Sequence, residues 1–135
     1  MAESNESSVV SFDAAGALAA ARGVAGEAVR VCVEYDDESF RVLHVGDEVA
    51  AVYGDEEAMY DHFEEIHSYV HVDFTEKELF TDTLFPVADG VEYMVTGMDA
   101  FTLLRVYVGD EGLFFSLDPG TAVVPLVEAV RDALE

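Results

Sequence analysis

Two hydrophobic periods alternate along the chain, and each switch between them predicts a change of element. Residues 12–22 are Ala-rich and predict a first helix, with Ser11 as N-cap, Arg22 at its cationic end and Gly23 just past its last turn. From 28 to 35 the period drops to two: Val29, Val31, Val33 and Tyr35 share one face of a strand, and Arg30, Cys32 and Glu34 share the other. Asp36-Asp37-Glu38-Ser39 reads as a turn into a second strand over 40–45, giving an antiparallel hairpin. Residues 47–53 fit either a third short strand or the start of a helix, and a helical turn is the favoured reading.

After Gly54, Asp55 is placed to cap a helix whose first turn carries Glu56 and Glu57, the charge sign that suits the positive end of the helix dipole. Met59, Phe63, Ile66 and Val70 then recur at helical spacing. Val70, Val72 and Phe74 alternate with His71 and Asp73, which predicts that this helix ends near Ser68 and gives way to an extended piece. Thr75-Glu76-Lys77-Glu78 has the spacing of a capping box and predicts a fresh helix start. Beyond Pro86 and Asp89-Gly90 the chain reads as strand again, over 91–96, 100–108 and 112–117, with short hairpin connections. Asp118-Pro119-Gly120 suits a turn, and a last helix presents Leu126, Val130, Ala133 and Leu134 on one side, with Pro125 near its first turn.

The predicted order is α-β-β-α-β-β-β-α, an α+β fold in which about three helices cover a five-stranded antiparallel sheet. Residues 1–10 are expected to be a mobile polar N-terminus, and 11–135 a single domain. With 135 residues, 51% of them hydrophobic, the chain can bury roughly two-thirds of its extended surface in one core without disulfides or structural metal.

Charge changes the picture of where such a fold works. The chain has 29 Asp and Glu against 6 Lys and Arg, a net charge of -23. Lys77 is its one lysine. Carboxylates this dense sit roughly 15 Å apart on a surface of this size. They repel where the Debye length is about 10 Å, at 0.1 M salt, and hardly at all where it is about 3 Å, at 1 M. Such a surface, surrounded by solvent cations, predicts a halophilic protein and excludes the phosphate backbone of nucleic acid and an anionic membrane as partners. The first residues carry no basic segment and no run of apolar residues is long enough to span a bilayer, so a cytoplasmic location is expected. A single cysteine, Cys32, leaves no internal disulfide and reads as a small buried hydrophobe.

Candidate chemistry is sparse. No nucleophile elbow, phosphate-binding loop or dinucleotide fingerprint occurs, and no cofactor is implied. Glu64, His67 and His71 would share one stripe of a continuous helix, a spacing able to hold an imidazole-preferring metal; exposed histidines on an acidic face are the alternative. Phe101, Leu103, Arg105 and Tyr107 alternate onto one face of a strand, with Thr102, Leu104, Val106 and Val108 on the other. Both faces are largely apolar, so the first set is a candidate surface for a ligand or a partner.

The order of elements resembles the roadblock/profilin-like sensor architecture, and the stretch Leu104-Arg105-Val106-Tyr107-Val108-Gly109-Asp110-Glu111-Gly112-Leu113-Phe114, through Asp118-Pro119, is similar to a small haloarchaeal family of unknown function. The first resemblance implies dimerisation and the binding of protein partners or small ligands, and it brings no catalytic signature. The leading expectation is therefore a non-enzymatic regulatory or adaptor module, binding a partner protein or a second copy of itself. The alternatives are a small-ligand sensor with its pocket between the sheet and the helix over 55–68, or a metal-dependent enzyme using Glu64, His67 and His71. The charge reading makes one prediction by itself: the unfolding midpoint, followed by circular dichroism, rises as KCl goes from about 0.1 M to about 2 M.

Overall fold

In the computed structural model, which describes residues 9–134, the alternating segments form one sheet that is antiparallel throughout. Its strands are β1 (Val29–Tyr35), β2 (Phe40–Val45), β3 (Tyr93–Gly97), β4 (Thr102–Val108) and β5 (Glu111–Leu117), in the spatial order β2-β1-β5-β4-β3. The helices are α1 (Ala14–Ala25), α2 (Asp47–Tyr53), α3 (Glu56–His67), α4 (Val70–Leu79) and α5 (Val123–Ala133). The α+β class and the five-stranded sheet are as the pattern predicts; 47–53 is helical, the favoured of its two readings, and 70–79 forms a further helix. Among the described residues no helix is long and apolar enough to cross a membrane.

Each face of the sheet carries its own core. On the first, α1 and α5 lie over Cys32, Leu104, Val106, Leu113, Phe115 and Leu117, and Leu126, Val127 and Val130 point inward from α5. Ala14, Ala17 and Ala21 are buried, and their short side chains let α1 approach closely. A fully buried Leu or Phe contributes about 2 kcal/mol here. On the second face, α2 and α3 pack Val49, Tyr53, Met59 and Phe63 against Val31, Val33, Phe40, Val42 and Phe114.

Val29 breaks the alternation read from the sequence. It joins the first core while Val31 and Val33 join the second, because the pairing with β5 shifts between Val29 and Val31 and leaves Arg30 as an extra residue. A bulge of this kind moves every earlier residue to the opposite face, and nothing in the run of valines announces it.

Three local expectations are corrected. Asp13, not Ser11, caps α1, accepting from Gly16 N at 2.9 Å; Ser11 instead bonds Glu111, its amide at 3.0 Å and its hydroxyl at 2.9 Å. The helix runs past Gly23 to Ala25 and ends at Gly26, whose φ of 58° belongs to the left-handed region that glycine enters without strain. Residues 70–74 are helix rather than an extended piece: Val70, Asp73, Phe74 and Lys77 lie at positions i, i+3, i+4 and i+7 of one helix, so the strand-like alternation was incidental and the box at Thr75 starts nothing.

Residues 1–8 of the expected mobile N-terminus lie outside the described residues, while Val9 and Val10 pack against the first core. They are held by Glu34, which is fully buried. Its carboxylate accepts from Val9 N, from Val10 N at 3.2 Å and from an Arg41 guanidinium nitrogen at 3.0 Å. Removing one member of so buried a pair strands the other. Glu34→Ala is therefore expected to lower stability by about 3 kcal/mol in denaturant unfolding, whereas Glu111→Ala at the exposed Ser11 contact costs under about 1 kcal/mol.

Candidate functional site

The second face is covered less completely than the first, and the gap is a pocket. Helices α3 and α4 cross it, and between them and the sheet lies a cavity of about 220 Å³. Val33 and Tyr35 of β1, Phe40 of β2, Leu103 and Arg105 of β4 and Phe114 of β5 form its floor. Its roof is Phe63, Ile66 and His67 of α3 with Tyr69, Val70 and Asp73 at the start of α4. Most of this wall is apolar or aromatic, and its polar side chains converge at two points.

One point is the junction of α3 with the β1–β2 turn. Asp36 organises that turn by accepting from Glu38 N at 2.8 Å and Ser39 N at 2.7 Å. Burial works against its charge, yet these bonds and the nearby His67 hold its carboxyl below the usual value. The backbone oxygen of Asp36 lies 2.8 Å from His67 Nε2. A carbonyl only accepts, so the Nε2 proton is fixed there and the imidazole pins the end of α3 to the hairpin. The His67 ring sits 5.3 Å from Phe40 and 6.4 Å from Tyr35, centroid to centroid.

The other point is the underside of α4. Arg105 donates to Asp73 at 2.9 Å and to the Thr96 hydroxyl at 2.8 Å, with both charged side chains largely buried. One turn further on, the Lys77 ammonium donates to Gly109 O at 2.6 Å and lies 5.2 Å from the Phe74 ring centroid and 4.8 Å from that of Tyr107. Burial lowers the Lys77 pKa against the pull of Asp110 and Glu78. Phe74 inserts between Tyr35, at 6.1 Å, and Tyr107, at 6.0 Å.

The two tyrosines meet across a glycine. Tyr35, Gly112 and Tyr107 are opposite one another on β1, β5 and β4. A Cβ on Gly112 would stand 2.8 Å from Tyr35 Cζ and Oη, so only glycine lets the Tyr35 ring lie flat over the strand. Among the described residues neither hydroxyl has a partner in hydrogen-bond geometry. Burial raises both phenol pKa values above the ordinary 10.0; for Tyr35 the Tyr107 hydroxyl and Asp73 add to it, and for Tyr107 Asp73 does.

Of the predicted candidate surface, Leu103 and Arg105 line the pocket, Tyr107 lies beneath α4, and Phe101 precedes β4 without reaching the cavity. The predicted metal site does not assemble. His67 ends α3 and His71 belongs to α4, so the continuous stripe is broken; His67 is turned to Asp36 O, His71 lies 3.2 Å from Ser68 O, and Glu64 is exposed. Among the described residues no group of three or more His, Cys, Asp and Glu is placed to hold a metal ion. Cys32 is fully buried on the first face, where desolvation pushes its thiol pKa up, with Glu34 adding to it, and makes it a poor nucleophile. Asp73, Tyr69 and Val70 were missed as site residues because the sequence reading made 70–74 extended; the spacing Val70, Asp73, Phe74, Lys77 is the signal that places them.

The two buried phenols add to the Cys32 thiol in lowering the stability of the fold in alkali. The native state keeps its phenol protons while the unfolded chain loses them near pH 10. Their contribution is thus complete below about pH 10 and declines as pH rises above it. Tyr107→Phe, which removes an unpartnered hydroxyl, is expected to leave stability at neutral pH within about 1 kcal/mol and to flatten that alkaline decline in unfolding experiments.

No curated protein and no solved structure matches the chain. A family model does match, over residues 15–135, a span that takes in all but the first residue of α1, the whole sheet and every residue of the pocket. The chain belongs to that family, described as a domain of unknown function (DUF7522).

Proposed function

We propose that the domain is a small-ligand sensor, with the cavity between the second sheet face and α3–α4 as its binding site. The cavity itself carries this reading: about 220 Å³, bordered by apolar side chains from four strands and two helices, with Arg105 and Asp73 as an orienting polar end. A dry cavity of about 150 Å³ already takes up benzene, so a compact molecule somewhat larger than that fits here. The roof is made of α3 and α4, and α4 contributes no fully buried residue, so occupancy can stabilise the cover and be reported on its outer side. The resemblance of element order to roadblock/profilin-like sensors supports the same reading, and the acidic surface suits a halophilic cytoplasm in which electrolyte cations solvate the carboxylates.

A second reading, an adaptor that docks a protein partner or a second copy of the chain, is favoured by one observation. Val72 and Leu79 of α4 are 51% and 46% exposed and fall on one outward stripe two turns apart. Size-exclusion mass measurement in molar KCl, together with pulldown in the same salt, tests it: a monomer that recovers no partner removes this second reading.

The sensor reading is tested by thermal unfolding with a panel of compact aromatic, aliphatic and ammonium compounds. At about 100-fold excess over its dissociation constant a true ligand is expected to raise the midpoint by about 5–10 °C. Leu103→Trp, which fills the floor of the cavity, is expected to abolish the shift while still unfolding cooperatively. No shift with any compound, or an undiminished shift in Leu103→Trp, contradicts the reading.

A further inference from the structure

Two polar groups of the pocket wall are left without partners, and they narrow its ligand, an inference that rests on the sensor reading above. Arg105 has both terminal nitrogens engaged, one with Asp73 at 2.9 Å and the other with the Thr96 hydroxyl at 2.8 Å. Its buried Nε has no partner among the described residues. Tyr35, only 4% exposed, borders the same cavity, and among the described residues its hydroxyl is unpartnered too. The charges of Asp73 and Arg105 both act on that hydroxyl, which places the two groups near one another. A buried donor without an acceptor carries its full desolvation cost, and an oxygen brought to it recovers that cost. Both atoms are closed to solvent. An acceptor therefore reaches them as part of a molecule seated under α4, the cover that contributes no fully buried residue.

The charges of the wall decide what carries that oxygen. Arg105 and Asp73 are paired at 2.9 Å and cancel, so the pair favours neither an anion nor a cation. Moving an ion from water into a mostly apolar wall is costly unless an uncompensated opposite charge meets it there. A neutral molecule avoids that cost. The Nε–H only donates and the phenol O–H is free to donate, while a carbonyl oxygen has two lone pairs and no proton of its own to place. A cavity of about 220 Å³ takes one ring with a short substituent, since about 150 Å³ takes benzene.

We propose that the pocket binds a compact neutral carbonyl compound with an apolar body, its oxygen accepting from Arg105 Nε–H and from the Tyr35 hydroxyl. The test compares acetophenone with α-methylstyrene, in which a methylene group replaces the carbonyl oxygen. Both are titrated into the folded, isotope-labelled chain in molar KCl and followed by NMR at the arginine Nε–H resonances. Acetophenone is expected to move the Arg105 resonance downfield at saturation, and α-methylstyrene to bind without that downfield shift.

Tyr35→Phe removes an unpartnered hydroxyl and keeps the ring, so the fold is retained. This variant is expected to weaken acetophenone about fivefold and leave α-methylstyrene unchanged. Benzoate and benzylammonium, of similar size and opposite charge, are each expected to bind about tenfold more weakly than acetophenone. An Arg105 resonance that does not move downfield at saturation, an acetophenone affinity unchanged in Tyr35→Phe, equal loss of both compounds in that variant, or a charged analogue that binds as tightly, each overturns the assignment of a neutral carbonyl. Failure of acetophenone while α-methylstyrene or another compound of the panel binds overturns it too, leaving the sensor reading in place. Failure of every compound removes the sensor reading itself.

Discussion

The central strands of this domain are apolar on both sides, and everything else in the structure answers that constraint. Val31 and Val33 face one way and Cys32 the other in β1; Leu103 opposes Leu104 in β4; Phe114 opposes Phe115 in β5. A sheet of this kind is stable in water only with a cover on each face. The two covers are unlike. Helices α1 and α5 close the first face with Ala14, Ala17, Ala21, Leu126, Val127 and Val130, all almost wholly buried. The second cover is built from helices with few buried residues, and it spans a floor of large rings that it does not fill. The cavity is the consequence.

What fastens the second cover is chosen from a very short supply of positive charge. Four of the arginines meet carboxylates: Arg30 with Asp118, Arg41 with Glu34, Arg105 with Asp73 and Arg131 with Glu92. Two of these pairs are largely buried, Arg41 with Glu34 and Arg105 with Asp73, and they tie the N-terminal segment and α4 to the sheet. The lone lysine is used beside the second of them, on rings and a backbone carbonyl. Positive charge is thus placed where it joins elements, while carboxylates far outnumber the positive groups that could pair with them.

The strands and the two-sided character of β4 were legible in the sequence because alternation over six or seven residues has one reading. The face of Leu103, Arg105 and Tyr107 followed from it, and with it the two floor residues Leu103 and Arg105 of the pocket. Two things were not legible. The bulge at Arg30 depends on how β1 meets β5, a contact between segments more than eighty residues apart, so valines that look equivalent end on opposite faces. Helix α4 was hidden by a coincidence: Val70, Val72 and Phe74 satisfy a period of two, while Val70, Asp73, Phe74 and Lys77 satisfy the helical period equally well over so short a span. What decides between them is the partner of Asp73, which is Arg105 on a strand 32 positions away.

The account's central claim is that α4 is a separable cover over a sheet face it only partly fills. Native-state hydrogen exchange tests this most directly. Amides of β1, β4 and β5 are predicted to exchange only through global unfolding, while those of α4 exchange through a smaller opening of lower free energy. Protection of α4 equal to that of the central strands, or strands that open before it, would contradict the claim.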